Sequence, residues 1–252
     1  MIELKNVSKS YDGVRNAVDD LTLDIRDGEI FGFLGPNGAG KTTTLKLIAG
    51  LLSLDQGSIT VNGYDIEQSP LEAKQRFAFI PDNPETFQRL KGIEYLRFIG
   101  DIYGVGSKDR EQRVHDLTHR FGIHDVMNQM IRTYSHGMKQ KLILTGALLH
   151  DPETWILDEP MTGLDPASSF QLKQLMREHA DAGKTVLFST HVLEVAEKVC
   201  DRLSVIDNGR LLFVGSMDEL KERYAEDASL ESLFLRLVNE SGQDEKPEGQ
   251  GR

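Results

Sequence analysis

Leu34-Gly35-Pro36-Asn37-Gly38-Ala39-Gly40-Lys41-Thr42-Thr43 fits the pattern G-x-x-x-x-G-K-[ST], a loop whose backbone cradles the phosphates of a nucleotide. Gly35, Gly38 and Gly40 allow conformations that a side chain forbids, and their N–H groups can turn inward on an anion. Lys41 brings a point charge for the β- and γ-phosphates, and Thr42 a hydroxyl for Mg²⁺. Pro36, Asn37, Ala39 and Thr43 complete the cradle. The neighbours suit such a loop. Glu29–Leu34 is a short apolar run fit for a buried parallel strand. Thr44–Ala49 continues as an apolar helix, with Gly50 placed to end it. That helix should begin near Lys41 and aim its positive end at the same anion. Strand, Gly-rich loop and helix in this order predict an α/β fold on a mainly parallel sheet.

Composition bounds the rest. The chain has 252 residues, 39% hydrophobic and 27% charged, as in an ordinary globular protein. No apolar stretch approaches the roughly 18 residues of a membrane span, and Met1-Ile2-Glu3-Leu4-Lys5 lacks the features of a signal peptide. Cys200 is the single cysteine, which suits a reducing cytosol. The net charge of −11 argues against non-specific coating of nucleic acid or anionic lipid.

Residues 2–9 and 17–26 alternate in strand fashion. Ser58–Val61 reads as a strand closed by the turn Asn62-Gly63. Ser69-Pro70-Leu71-Glu72 has the form of a capping box with proline at the first helical position, and Phe77–Ile80 follows as a strand. Over residues 91–150 strand signals vanish and helical spacing takes over, as in an α-helical insertion. Alternation resumes with a strand at Thr154–Asp158, a helix at 167–181, a strand at 184–189 and a helix at 191–199. Leu203–Ile206, Asp207-Asn208-Gly209 and Arg210–Phe213 form a closing hairpin. Ser216-Met217-Asp218-Glu219 caps one more helix, a short helical segment covers 230–238, and the polar stretch 239–252 is expected to be disordered.

A phosphate loop alone does not separate a kinase from a hydrolase. Trp155-Ile156-Leu157-Asp158-Glu159 narrows the choice. An apolar strand ending in Asp158 presents a carboxylate to the Mg²⁺ of the loop, as in a Walker B motif. Glu159, at the strand exit, can accept a proton or hydrogen bond from an attacking water. His191, after the strand at 184–189, lies at the sheet edge where such folds bind ligands. Tyr134-Ser135-His136-Gly137-Met138-Lys139-Gln140-Lys141 is a second anion site in outline. Ser135 can cap the following helix, and Gly137 leaves backbone N–H groups open at its positive end.

Tyr134–Lys141 resembles the signature motif, Leu-Ser-Gly-Gly-Gln, of the ATP-binding cassette ATPases. The order of phosphate loop, helical insertion, signature, Walker B and late histidine matches that family over about residues 2–215. Thr162-Gly163-Leu164-Asp165 is similar to its D-loop, and Tyr11 stands where the family sets an aromatic ring against adenine. The resemblance implies a P-loop NTPase with ATP and Mg²⁺ as cofactors. Its ATP-binding core with an antiparallel β subdomain would span 1–90 and 151–215, a helical subdomain 91–150, and C-terminal helices 216–238. Two copies, or this chain and a homologous ATPase subunit, would pack head to tail, each ATP lying between one phosphate loop and the partner's Ser135 and Gly137. Glu159 would polarise the water, His191 would hold it and the γ-phosphate in line, and Asp165 would link the two sites.

Two departures from the family pattern stand out. Where the family carries a glutamine after the strand at 77–80, this chain has Ile80-Pro81-Asp82-Asn83; Asp82 takes that place and can face Mg²⁺ through water. His136 and Met138 replace a glycine and a glutamine of the signature, in a form similar to bacterial drug- and antibiotic-exporter ATPases. The first function implied is an ATPase subunit that powers separate transmembrane permease subunits from the cytoplasmic face of the membrane. The alternatives are a soluble ATP-driven switch of the same fold and a nucleotide kinase. The transported substrate is not legible.

Overall fold

A computed structural model describes residues 1–82, 87–224 and 229–244, with the backbone alone for 241–244. Asn83, in the segment after Asp82, and 245–252 of the expected tail lie outside the described residues.

Two sheets carry the fold. Strands β1 (Ile2–Ser10), β2 (Asn16–Ile25), β4 (Gln56–Val61) and β5 (Tyr64–Asp65) form an antiparallel sheet in the order β2-β1-β4-β5. The second contains β3 (Ile30–Leu34), β6 (Phe77–Ile80), β7 (Thr154–Asp158), β8 (Thr185–Thr190), β9 (Arg202–Asp207) and β10 (Arg210–Gly215) in the order β10-β9-β3-β8-β7-β6. All neighbours in it are parallel except the β9–β10 edge hairpin. The Asn-Gly pairs behave as the sequence implies. Asn62 and Gly63, and Asn208 and Gly209, all have positive φ, the geometry that a two-residue hairpin turn needs.

Strands β3, β7 and β8 are buried along their whole length, as expected of a parallel sheet covered on both faces. The period-2 alternation divides their side chains between two cores. Phe31, Phe33, Ile156 and Leu187 pack toward the antiparallel sheet and helix α1 (Lys41–Ile48). Ile30, Trp155, Leu157, Val186 and Phe188 pack toward the helices of the other face.

Residues 91–150 are helical as expected: α3 (Gly92–Ile102), α4 (Ser107–Arg120) and α5 (His136–Leu148), with two 3-10 turns between the last pair. Their apolar faces do not form a separate core. Leu96, Phe121, Leu142 and Leu144 belong to the same cluster as Trp155 and Phe188 of the sheet. Helices α6 (Pro166–Asp181) and α7 (Leu193–Val199) complete the alternation.

Helix α2 (Pro70–Arg76) starts at its proline as read, but Ser69 makes no side-chain cap. Its ψ of 56° takes it out of the extended conformation from which an N-cap hydroxyl reaches the first turn. The box forms instead at α8 (Met217–Tyr224). There Ser216 N–H donates to Glu219 Oε2 at 2.6 Å and Glu219 N–H to Ser216 Oγ at 3.1 Å. Helix α9 (Leu230–Asp244) runs past 238, so 239–244, read as the start of a disordered tail, is helical. Leu230, Leu233 and Leu237, at helical spacing, fix it onto Leu203, Val205 and Phe213.

Two histidines are stacked on aromatic rings, His179 in the interior and His150 half-buried. Tyr103 lies on His150 at 3.7 Å between ring centroids, and Trp155 on His179 at 4.1 Å. Burial disfavours the charged imidazole and pushes both groups down to about 4. The unfolded chain therefore takes up protons below pH 6.5 that the folded chain refuses until near pH 4. Stability is intact above pH 6.5 and falls as the pH drops between these values. His179→Phe keeps the stack without the titration. Relative to the wild type it is expected to remove at most about 2 kcal/mol of the stability lost between pH 7 and pH 5, read from urea unfolding at the two values.

Candidate functional site

The loop leaves the C-terminal end of β3 and enters α1 through Gly40, whose φ is 108°. A Cβ on Gly35 would collide with Ile206 O, and one on Gly40 with Ala17 O. The loop is thereby held against β9 of one sheet and β2 of the other. Within it, Ala39 N–H donates to Pro36 O at 3.2 Å. That N–H closes the loop's own turn and is not free for a ligand.

Lys41 is only 7% exposed. Its Nζ folds back to donate to Gly35 O at 2.7 Å and Pro36 O at 3.1 Å. Burial lowers the ammonium pKa, while Glu159 and Asp158 pull it the other way. An anion in the loop would offer that ammonium a charge-assisted bond, stronger than those to neutral carbonyls.

A cleft of about 360 Å³ beside the loop brings together Lys41, Thr42, Thr43, Tyr11, Asp82 and Glu159, with Asn37, Gly38 and Gly40 on its floor. An adjoining hollow of about 270 Å³ continues past Tyr11 to Arg15, Asn16 and Asn208. Tyr11 is 65% exposed and its hydroxyl lies 3.3 Å from Thr43 Oγ1. A flat, open ring of this kind can take a planar base on its face.

Asp158 ends β7 opposite Ser189 of β8. The Ser189 hydroxyl donates to Asp158 Oδ1 at 2.7 Å and accepts Glu159 N–H at 3.0 Å. One buried oxygen thus fixes both acids. Asp158 Oδ2 is buried with no protein partner, which leaves a carboxylate oxygen to be satisfied from outside. A hydroxyl from Thr42 and a bare carboxylate oxygen are hard oxygen donors of the kind Mg²⁺ takes beside phosphates. Among the described residues no three His, Cys, Asp or Glu are grouped around a metal. Glu159 has φ 48°, and its Oε1 lies 3.0 Å from His191 Nδ1.

Ser135, Gly137 and Asp165 do not line this cleft. They form a second cluster at the start of α5. Ser135 Oγ accepts Met138 N–H at 3.3 Å, as its capping role requires. A Cβ on Gly137 would press on Gly163 O at 2.8 Å, so the helix start abuts the loop before α6. Lys141 Nζ lies 2.7 Å from Asp165 Oδ2, and Asp165 caps α6 by accepting Ser168 N–H at 3.0 Å. The hydrogen bond from Lys141, then those from Ser168, hold the Asp165 carboxyl well below its usual range.

Three residues of the site escaped the sequence reading. Ser189 gave one signal, its position near the end of its strand, two residues before His191. Ala17 and Asn208 gave none, because they reach the site across both sheets.

The ABC transporter family profile matches residues 18–162. The ABC transporter ATP-binding protein NatA of Bacillus subtilis is 38% identical over 88% of this chain and 92% of its own. The daunorubicin/doxorubicin resistance ATP-binding protein DrrA of Streptomyces peucetius is 38% identical over 94% of this chain and 69% of its own. Among solved structures, the ATP-binding subunit of an ABC transporter superposes with a TM-score of 0.90 at 34% identity, covering 94% of this chain and 99% of that one. A dimeric post-hydrolysis ATP-binding cassette, MJ0796 with ADP and Pi, shares the fold with a TM-score of 0.78 at 22% identity, covering 86% and 99%.

Ser189→Ala leaves Asp158 Oδ1 without its donor in a buried setting and Glu159 N–H without its acceptor in a part-buried one. A loss of about 1–3 kcal/mol is expected. Urea unfolding at neutral pH measures it, and an unchanged midpoint would contradict the strut.

Proposed function

The chain belongs to the ABC transporter family, and we propose that within it the chain drives an exporter through an ATP-dependent, head-to-tail pair of its two anion-binding ends. It is an ATP-binding, ATP-hydrolysing subunit of the transporter type. Family membership disfavours a nucleotide kinase, and the likeness to transporter subunits disfavours a soluble switch. The export direction rests on the likeness to a drug-resistance ATP-binding protein.

One observation carries the pairing. The phosphate cleft and the start of α5 are both built for anions, yet Ser135 and Gly137 are absent from the lining of their own chain's cleft. A single nucleotide can meet both only if a second cassette supplies one of them. The second copy, or a homologous subunit, sets Ser135 and Gly137 against the γ-phosphate held by Lys41.

MgATP supplies the transferable γ-phosphoryl group and an ion that polarises it. The chain's residues then divide the work. Tyr11 takes the base on its ring. Gly35–Thr43 and Lys41 hold the phosphates, Thr42 and Asp158 Oδ2 would hold the ion, and Asp82 would act on it through water. Glu159 accepts the proton of the attacking water, and His191, already 3.0 Å from Glu159, orients that carboxylate and the γ-phosphate. Asp165 ties the partner-facing end of α5 to the loop that follows Glu159. No helix among the described residues is long and apolar enough to cross a membrane, so the permease spans are assigned to separate subunits, against which this one sits at the inner face.

Glu159→Gln removes the base but keeps the shape. Turnover is expected to fall by about 10²-fold or more, with ATP trapping a dimer visible by size-exclusion chromatography. Normal turnover would overturn the role of Glu159. Ser135→Arg should abolish that dimer while ATP still binds the monomer, as read by equilibrium dialysis. Loss of monomer binding would place Ser135 in its own chain's site instead.

A further inference from the structure

A second cavity lies at the other end of the sheet, near the start of β7. It is about 550 Å³ in volume, wedged between α4 and α6, and bounded by Leu117, Leu148, Trp155, Leu175, His179 and Ala182. Most of its walls are apolar, and its size suits a small organic molecule.

Two features distinguish it from a packing gap. Trp155 and His179 are 5% and 7% exposed, and Trp155 Nε1 and His179 Nε2 are buried with no hydrogen-bond partner. Leaving such groups bare costs about 1–3 kcal/mol each, and the nucleotide site makes no use of either. The charges at the rim, by contrast, are already engaged. Arg113 donates to Leu149 O at 2.9 Å, Lys184 pairs with Asp151 at 2.6 Å, Gln112 donates to Asp116 at 2.9 Å, and Arg120 clasps Glu178 from α4 to α6.

We propose that this cleft is a binding site for a neutral, planar aromatic molecule carrying a hydrogen-bond acceptor. The aromatic plane matches the stacked Trp155–His179 pair and the leucine walls. Neutrality follows from the rim, where the charged groups are each already hydrogen-bonded within the chain and so offer little to a charged ligand. The acceptor follows from the indole N–H, which can only donate. Neither ring nitrogen is open to solvent, so the ligand reaches them only as the cleft walls shift around it. The site is independent of the nucleotide chemistry, and its failure would leave that reading untouched.

Trp155 is the only tryptophan, so ¹⁵N-labelled full-length protein shows a single indole N–H resonance. Coumarin, a neutral bicycle with a carbonyl acceptor, is the probe. The expected result is a saturable shift of that resonance at one coumarin per chain. The apparent affinity should weaken about tenfold or more in Ala182→Phe or Leu117→Phe, which fill the cleft from opposite walls. No shift at millimolar coumarin, or an undiminished shift in both variants with the rest of the spectrum native, would overturn the proposal.

Discussion

The contact on which the rest of the structure depends is between backbone and backbone. The phosphate loop is pressed by Gly35 against Ile206 O and by Gly40 against Ala17 O, with no room for a side chain at either place. Those two carbonyls belong to different sheets. The loop is therefore where the parallel and antiparallel layers meet, and its shape is set before any ligand arrives. Preorganisation of this kind is what an anion cradle needs, since an N–H that must first be aligned loses much of its value. Lys41 shows the same economy. It is desolvated, and only two loop carbonyls and the field of Asp158 and Glu159 hold its charge in place.

The second constraint is the order of β7 and β8. Parallel pairing in register sets Asp158 opposite Ser189, and the serine hydroxyl has one proton to give and lone pairs to receive. It gives the proton to Asp158 and receives the N–H of Glu159. The consequence is asymmetric. Asp158 has one oxygen satisfied and one bare, whereas Glu159, turned by its positive φ, reaches His191. Two adjacent acids thus stand in different environments, the condition for them to do different chemistry.

Much of this was legible in the residues. The strand–loop–helix unit at 29–49 and the strands at 154–158 and 184–189 are legible, because both faces of such strands are apolar and their ends carry the polar groups. The helical insertion was plain from its period. What stayed hidden was whatever depends on two distant segments meeting. Ser189 looks like any strand serine until the register with Asp158 is known, and Asn208 looks like a turn residue. Ser69 misled for a local reason: a pattern such as S-x-x-E states which bonds are possible, and the backbone angle decides whether they form. The tail misled because α9 is held by Leu230, Leu233 and Leu237. A helix anchored at one end carries a few polar residues beyond its last contact at little cost.

The placement of the signature segment follows from the same packing logic. The start of α5 cannot swing freely toward its own phosphate loop, because Gly137 lies against Gly163 O and Lys141 pairs with Asp165. Lys141 is largely buried and Asp165 is about half exposed, so the pair is screened less than a surface bridge. Asp165 in turn caps α6, and its loop begins directly after Glu159 and Pro160. A force on the open N–H groups of α5 is therefore felt first at the loop that follows the strand-end acid of the same chain. Such a joint would be idle in an enzyme that closes on its own ligand. It has a use where the anion pulling on α5 belongs to one chain and the acid that must respond belongs to the other.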